Sequence, residues 1–302
     1  MARTRHVTAL SRQGEMVKTL VRILAALALM ALGLSFAGAL HPVGDSLAVF
    51  RVGLAFLALL LVLGTGLPRG WRLTGVALCL AASGSVFWHK LPPAEPGPLI
   101  LYQKNMFHRN SDIEGLARDI LAVAPDIVTL QEVSVENEAL LDLLWDTYPN
   151  QHLCRYTPRS GIAVLTRLET SGTPFCSENI GLAGVEVQTD SGPVWAMALH
   201  SAWPYPGIQP GQMAWLYWYL GQVDRTAVIG GDFNMVPWSH TLRRVAETSG
   251  LERAGPSRPT FQLGPAPLPI DHVFAPYGGR TEARGLLGSD HRGIVAHVSV
   301  TD

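Results

Sequence analysis

An aspartate and an asparagine two residues apart, Asp232 and Asn234, follow the apolar run Thr226-Ala227-Val228-Ile229 in the stretch GGDFNMVPWSH at 230–240. A turn alone could be made with Gly230-Gly231, so a carboxylate and an amide placed there suggest chemistry on a rigid support. Six further polar residues occupy the same kind of position, at or beside the end of an apolar run: Asn105, Glu132, His200, Asp271, Asp290 and His291. Loops at strand ends are held by a sheet and commonly carry binding groups. Each residue alone has an ordinary reading, with Asp271 as a strand cap, His200 as a satisfied core histidine and Glu132 as surface charge. Eight in one recurring position read as a site.

Glu132, with Asn105 and Asp290, supplies hard oxygen ligands without a thiolate or a histidine cluster, which suits Mg2+ or Mn2+ and argues against zinc. A cation held by one or two carboxylates keeps positions open for phosphate oxygens, so phosphoryl chemistry is the expected reaction class. Hydrolysis then needs a proton acceptor for water, neutralisation of the phosphorus oxygens and help for the leaving group. His291 can take the proton, Asp271 can orient its imidazole, and Asp232 can align the water. Asn234 and His200 can donate to the developing charge.

The elements that must position these groups follow from periodicity. Residues 99–104, 126–130, 161–165, 183–187, 194–199, 226–229, 270–274 and 293–298 are predicted strands. A helix is expected after a capping box at Ser111 and Glu114, with Ile113, Leu116, Ala117, Ile120 and Leu121 at helical spacing until Pro125. Further helices are expected at 211–222 and 239–249. Such alternation suggests two sheets with helices outside.

Asn105, Leu130-Gln131-Glu132, His200 with Pro204, Gly231-Asp232-Phe233-Asn234, Ile270-Asp271-His272 and Ser289-Asp290-His291 together resemble the endonuclease/exonuclease/phosphatase superfamily, the deoxyribonuclease I-like fold. The resemblance spans about 99–299 in the expected order. It implies a four-layer α/β sandwich of two mixed sheets flanked by helices, and metal-dependent phosphoester hydrolysis. Carried over by motif, Glu132 is the main metal ligand with Asn105 in support and Asp290 near the metal; Asp232 and Asn234 act on water and phosphate, Asp271 pairs with His291, and His200 contacts phosphate or acts as an acid. The PWS after GDFN, the SDHR and the apolar segments in front are similar to a membrane-anchored bacterial branch that includes vancomycin and teicoplanin resistance-associated membrane proteins. That branch is linked to recycling of the undecaprenyl carrier lipid. Gly293 departs from the proline that often follows SDHR.

The first third of the chain differs in character. Residues 23–40, 52–67 and 73–88 carry no charge, and about 20 apolar residues span a bilayer. Three transmembrane helices are expected at about 20–40, 47–67 and 72–89, in an anchor at 1–91. A basic start and Phe36-Ala37-Gly38-Ala39 also fit a cleaved signal. Arg3, Arg5, Arg12, Lys18, Arg22, Arg69 and Arg72 place the N-terminus and the 68–72 turn in the cytoplasm, so an odd number of spans puts the rest on the periplasmic or extracellular side of the cytoplasmic membrane. Residues 92–98, PPAEPGP, read as a stiff linker to a catalytic domain at 99–302.

From residue 98 onward there are 14 Lys and Arg against 21 Asp and Glu, a formal charge of −7. A non-specific nucleic-acid binder needs a basic stripe, so nucleic acid is a disfavoured partner. Cys154 and Cys176 either pair in an oxidising compartment or lie buried apart. The aromatic segment 211–220, with Trp203, Tyr205 and Trp238, could rest on lipid headgroups; packing of the rings into the core is the simpler expectation, because aromatics occur on all its sides. A phosphoester substrate, small or lipid-linked and such as a polyprenyl diphosphate, is expected. The competing readings are a periplasmic nuclease and a non-catalytic lipid-binding envelope domain.

Overall fold

The computed structural model describes residues 2–91, 95–223 and 226–301, with side chains from residue 13 onward. Residues 92–94 of the expected linker, and the side chains of Arg3, Arg5 and Arg12, lie outside the described residues. The chain divides into two units, Met1–Trp88 and His89–Asp302.

The first unit contains α1 (Ala2–Leu34), α2 (Val43–Val49), α3 (Arg51–Gly64) and α4 (Arg69–Phe87). Gln13–Leu34 and Arg69–Lys90, each 22 residues, are long and apolar enough to cross a membrane. The expected middle span is instead the pair α2 and α3, bent by 77°, so the count is two, or three if the bent pair acts as one. Arg51 sits at the break: its guanidinium donates to Ser35 Oγ at 3.1 Å and Ser35 O at 2.5 Å and lies 3.8 Å from the Phe36 ring centroid. At about 1.5 Å per residue, α3 alone falls short of a hydrocarbon core of about 30 Å. Ala28, Leu32, Ala55, Ala58, Cys79 and Ala82 form the interior of this unit, while Leu27, Phe56, Leu60 and Leu80 face outward. Small residues inside and large apolar ones outside invert the pattern of a water-soluble bundle.

The second unit runs β1 (Leu99–Asn105), α5 (Ile113–Val123), β2 (Ile127–Val133), α6 (Ala139–Leu144), β3 (Asn150–Thr157), β4 (Ser160–Thr166), β5 (Thr170–Ser177), β6 (Leu182–Thr189), β7 (Gly192–His200), α7 (Gln209–Leu220), β8 (Ala227–Asp232), α8 (His240–Ser249), β9 (Glu252–Arg253), the short hairpin β10 (Phe261–Leu263) and β11 (Ala266–Leu268), β12 (Asp271–Ala275), β13 (Gly279–Ala283) and β14 (Ile294–Val298). One sheet has the order β13-β14-β1-β2-β4-β3 and the other β5-β6-β7-β8-β12-β9. The pairs β1–β2 and β7–β8 are parallel and the other neighbours antiparallel, which makes both sheets mixed.

Side-chain alternation builds the layers. Leu101, Ile127, Ile162 and Val164 face the second sheet, where they meet Val185, Ala196, Ala198, Val228 and Val273. Their neighbours Tyr102, Val128, Ala163 and Leu165 face the other way, onto Leu116 and Ile120 of α5 and Leu140 and Leu144 of α6. On the far side α7 and α8 lie together, with Tyr219 of α7 against Phe175 of β5 at 5.2 Å between ring centroids. Two mixed sheets flanked by helices are what the sequence led us to expect.

Three details differ from expectation, and a fourth, the cysteine pair, resolves one that the sequence left open. The α5 cap is Asp112, whose carboxylate accepts from Gly115 N at 3.0 Å, in place of Ser111. On α7 the buried stripe is Met213, Leu216 and Leu220, while Trp215 and Trp218 are 57% and 61% exposed, so the two indoles point outward. Cys154 and Cys176 form a disulfide with 5.6 Å between Cα atoms, and it joins the edge strands β3 and β5 of the two sheets. Finally, Gly230 and Gly231 lie inside β8 and make no turn. A Cβ on Gly231 would meet Leu199 O at 2.2 Å, and one on Gly230 would meet Thr129 Oγ1 at 2.4 Å. The glycines let the two sheets and the β7–β8 pair approach closely. Gly231→Ala, whose clash is with backbone, is expected to cost about 1–3 kcal/mol or more by overpacking, read as a lowered urea midpoint.

Candidate active site

Register across the second sheet sets the first half of the site. His200 stands opposite Asp232 in the parallel β7–β8 pair, and Asp232 stands opposite Asp271 in the antiparallel β8–β12 pair. One transverse row therefore carries all three side chains. The ends of β1 and β2 supply the other half from the first sheet.

Glu132 lies where the β2–β4 ladder shifts register, and its φ of 55° is left-handed. A bulge of this kind re-aims a side chain, at a backbone cost of about 1–2 kcal/mol for a residue other than glycine. Asn137 holds it there, donating from Nδ2 to Glu132 O at 3.0 Å. Phe107 and Asn234 are also left-handed, with φ of 60° and 48°. Strained backbone thus gathers on the loops around these strand ends.

Hydrogen bonds join the two halves. Asn105 Nδ2 donates to Glu132 Oε1 at 3.2 Å and to Asp232 Oδ2 at 3.0 Å, while its Oδ1 accepts from Phe107 N at 2.9 Å. Glu132 Oε2 is 3.1 Å from His108 N and 3.2 Å from His108 Nδ1. Asp271 Oδ2 is 2.8 Å from His291 Nδ1, and its Oδ1 accepts from Gln103 Nε2 at 3.0 Å. With Nδ1 engaged, His291 presents Nε2 to Asp232 Oδ2 at 3.8 Å, the same oxygen that lies 3.8 Å from His200 Nε2. Asn234 N donates to Asp232 Oδ1 at 2.9 Å, and Asn234 Nδ2 donates to Ser201 O at 2.8 Å.

Glu132, His200, Asp232, Asn234, Asp290 and His291 all line one open cleft of about 560 Å³. Asn105 and Asp271 stand behind it through the bonds just described. Asp290 is exposed at the rim. Four supporting residues were given no role by the sequence: Gln103, Lys104, His108 and Ser289, the last of these noted only as part of the Ser289-Asp290-His291 motif. Ser289 Oγ donates to Asn105 O at 2.8 Å and accepts from His291 N at 2.9 Å. Buried Lys104 donates from Nζ to Leu286 O at 2.7 Å, Gly285 O at 3.3 Å and His291 O, clamping the loop that carries Asp290 and His291. Their one sequence signal was polarity inside an apolar strand, the Gln103-Lys104 step.

Burial and charge tune the groups. Burial, with ionised Asp271 beside it, pushes the Asp232 carboxyl up to about 6. Burial works to raise Asp271 as well, but the charge and hydrogen bond of His291 hold it below the usual carboxylate range. His291 loses hydration, yet the carboxylates of Asp271 and Asp232 raise it to about 10. Burial opposes ionisation of Glu132, and the His200 charge together with bonds from Asn105 and His108 outweighs it. His272, one residue beyond Asp271, is pushed down to about 3 by burial and the Arg253 charge, with Nε2 bonded to Met235 O at 2.8 Å. A histidine held neutral in the fold contributes stability above its unfolded pKa of about 6.5, lost as pH falls toward 3. Between pH 7 and 5.5 the wild-type unfolding free energy is expected to drop by about 1 kcal/mol more than that of His272→Gln, measured by urea titration at both pH values.

Residues 102–291 match the Endonuclease/Exonuclease/phosphatase family. The chain belongs to this family. Similar solved structures include truncated TDP2 from Caenorhabditis elegans, 18% identical over 66% of this chain and 96% of that one with a TM-score of 0.55. A family protein from Leptotrichia buccalis is 17% identical over 67% and 99% with a TM-score of 0.52, and Staphylococcus aureus beta toxin with bound magnesium ions is 14% identical over 67% and 99% with a TM-score of 0.53. At these identities the likeness is one of fold. Comparison with curated protein sequences finds no match.

Members of the endonuclease/exonuclease/phosphatase family are mostly metal-dependent hydrolases, and the donors here fit a divalent cation. Glu132 is kept ionised and is turned into the cleft by the bulge, Asp290 adds a second carboxylate to the same cleft, and no thiolate lies among the lining residues, a set of hard oxygens. Asp232, Asp271 and His291 form a second, fully buried group whose ligand atoms lie within 4.8 Å of one another. There the His291–Asp271 bond already occupies Nδ1, which suits proton transfer better than metal ligation.

Proposed function

We propose that the chain is a membrane-tethered, Mg2+-dependent phosphohydrolase whose catalytic unit lies outside the cytoplasm and acts on a lipid-linked or small phosphoester. The observation that carries the reading is the continuous hydrogen-bonded path from Glu132 through Asn105 to Asp232, with the Asp271–His291 pair facing the same Asp232 oxygen. Glu132 and Asp290, with Asn105 in support, would hold the cation, which supplies charge neutralisation on phosphate oxygens when bound. Asp271 fixes the His291 ring so that Nε2 faces the cleft and exchanges the proton of the attacking water, which Asp232 aligns. His200, on the opposite side of Asp232, donates to a phosphate oxygen or to the leaving group, and Asn234 Nδ2, which reaches Asp232 Oδ2 only at 3.5 Å, can turn the hydrogen of that contact to phosphate as a further donor.

The tether rests on the inverted apolar surface of the first unit and the two 22-residue stretches. Two crossings would leave His89 inside and three would put it outside, given the basic residues at the N-terminus and at 69 and 72. The Cys154–Cys176 disulfide belongs to an oxidising compartment, which favours three crossings with the bent α2–α3 pair as one. Outward Trp215 and Trp218, with exposed Trp203 and Tyr205 beside the cleft, favour a site that works at a lipid–water boundary. A polyprenyl diphosphate of the kind handled by the resistance-associated membrane branch fits that setting.

The nuclease reading keeps one specific support: a similar structure, TDP2 from D. rerio, is complexed with a single-strand DNA product. The formal charge of −7 after residue 97 weighs against it. Full-length protein in detergent, assayed for phosphate release or strand cleavage on DNA, nucleotides, inositol phosphates, phospholipids and polyprenyl diphosphates, each with Mg2+ and with chelator, separates the readings. Lipid-phosphate turnover that stops with chelator is expected; vigorous DNA cleavage with no lipid turnover would end the lipid reading. A catalytically silent envelope domain would turn over none of them.

A further inference from the structure

A second recess, of about 350 Å³, lies away from the catalytic cleft along the first two turns of α8, and its walls include His89, Trp238, Arg243, Arg253 and Phe274. Its chemistry is cationic and aromatic. Arg253 is the informative residue. It sits at the edge strand β9, mostly withdrawn from water, and among the described residues its one hydrogen bond is from Nη1 to Ala254 O at 2.8 Å. Burial with nothing to offset it pushes the group down to about 10.

Among the described residues no carboxylate lies within ion-pair distance of Arg253. Its neighbour Glu252 is exposed and, one residue along the strand, projects to the opposite face. His272 is held neutral partly by the Arg253 charge itself. A guanidinium largely withdrawn from water with only a backbone carbonyl as partner is costly, and an anionic ligand would offset that cost. Arg243 adds a second guanidinium on the same wall; it reaches His240 Nδ1 at 3.1 Å and only the outer limit of an ion pair with Glu247, at 4.0 Å. Two planar forks with five donors each match the tetrahedral oxygens of a phosphate group.

We propose that this recess is a second phosphate-group site, in which Arg253 and Arg243 grip the anion and the Trp238 ring packs against whatever the phosphate carries. The volume exceeds that of a bare phosphate, so a headgroup fits. His89 follows the last residue of α4, Phe87, by two positions in the chain. On the membrane reading above, an anionic phospholipid is one source of the phosphate; free inorganic phosphate, including product, is the other.

Full-length chain labelled with 5-fluorotryptophan reports on the recess directly, because the Trp238 resonance is assigned by its loss in Trp238→Phe. In detergent, inorganic phosphate is expected to shift that resonance saturably, with at least tenfold weaker binding in Arg253→Gln. Arg243 is 60% exposed along its side chain, so Arg243→Gln leaves folding intact and is expected to weaken binding severalfold. In nanodiscs, a shift with phosphatidylglycerol that is missing with phosphatidylcholine alone identifies the lipid as the source, and a response to soluble phosphate only identifies free phosphate. No shift with either probe, or an unchanged response in both arginine variants, overturns the proposal. A chain that answers to phosphate but will not enter nanodiscs would instead contradict the membrane reading.

Discussion

His291→Ala is expected to lower turnover by roughly 10²- to 10⁴-fold, the range for loss of a positioned acid–base group, with the thermal midpoint little changed. The size follows from how the ring is held. Its backbone is fixed by Ser289 and Lys104, and its Nδ1 by Asp271 at 2.8 Å, so Nε2 reaches the cleft without a search. Asp271→Asn should lose much of the same factor, because an amide no longer stabilises the imidazolium or fixes its tautomer. Groups that act as a unit are non-additive, so the double variant is expected to be little worse than His291→Ala alone. Phosphate release under saturating Mg2+ is the measurement, and a loss under tenfold for His291→Ala would remove this residue from the chemistry.

Glu132→Gln is expected to cost as much by a different route. The amide keeps the volume and the contact with Asn105 Nδ2 at Oε1, but loses the charge that the bulge points into the cleft. Affinity for Mg2+ or Mn2+ should fall by more than about 100-fold, beyond the 10- to 100-fold typical of residues that only support a metal ligand. Raising Mg2+ should restore part of the Glu132→Gln activity and none of the His291→Ala activity. That split in metal dependence distinguishes a ligand from a proton-transfer residue, and its absence would count against the assignment of Glu132.

The sequence made the interior of the fold legible and left its margins obscure. All eight predicted strands exist, and they are flanked or paired on both sides, with apolar runs long enough to register. The strands that went unread are β3, β5, β9, β13 and the β10–β11 hairpin, and each is an edge of its sheet. An edge strand packs on one side only and tolerates polar residues, glycine and proline; β5 contains Gly172 and Pro174 and β3 begins Asn150-Gln151-His152. The disulfide was undecidable for the same reason, since it joins two of those edges.

In the site, the residue types at strand ends were readable because polar groups there break an apolar run. Their support was not. Glu132 reads as an ordinary strand end, and only the backbone reveals the bulge and the left-handed φ that turn it inward. Lys104 and Gln103 look like residues of an alternating strand, yet both are fully buried and serve His291 and Asp271. The bend in the middle membrane segment was not legible: the charge-free run was counted from residue 52, one residue after Arg51, which sits at the break between α2 and α3.

Electron paramagnetic resonance of Mn2+ bound to the full-length chain in detergent, with and without inorganic phosphate, tests the assembled site most directly. One bound ion is expected, lost in Glu132→Gln and retained in His291→Ala, with 31P hyperfine coupling appearing when phosphate is added. Mn2+ binding that is unaffected by Glu132→Gln, or a bound ion that never couples to phosphorus, would contradict a cation and a phosphate meeting beneath the ends of these two sheets.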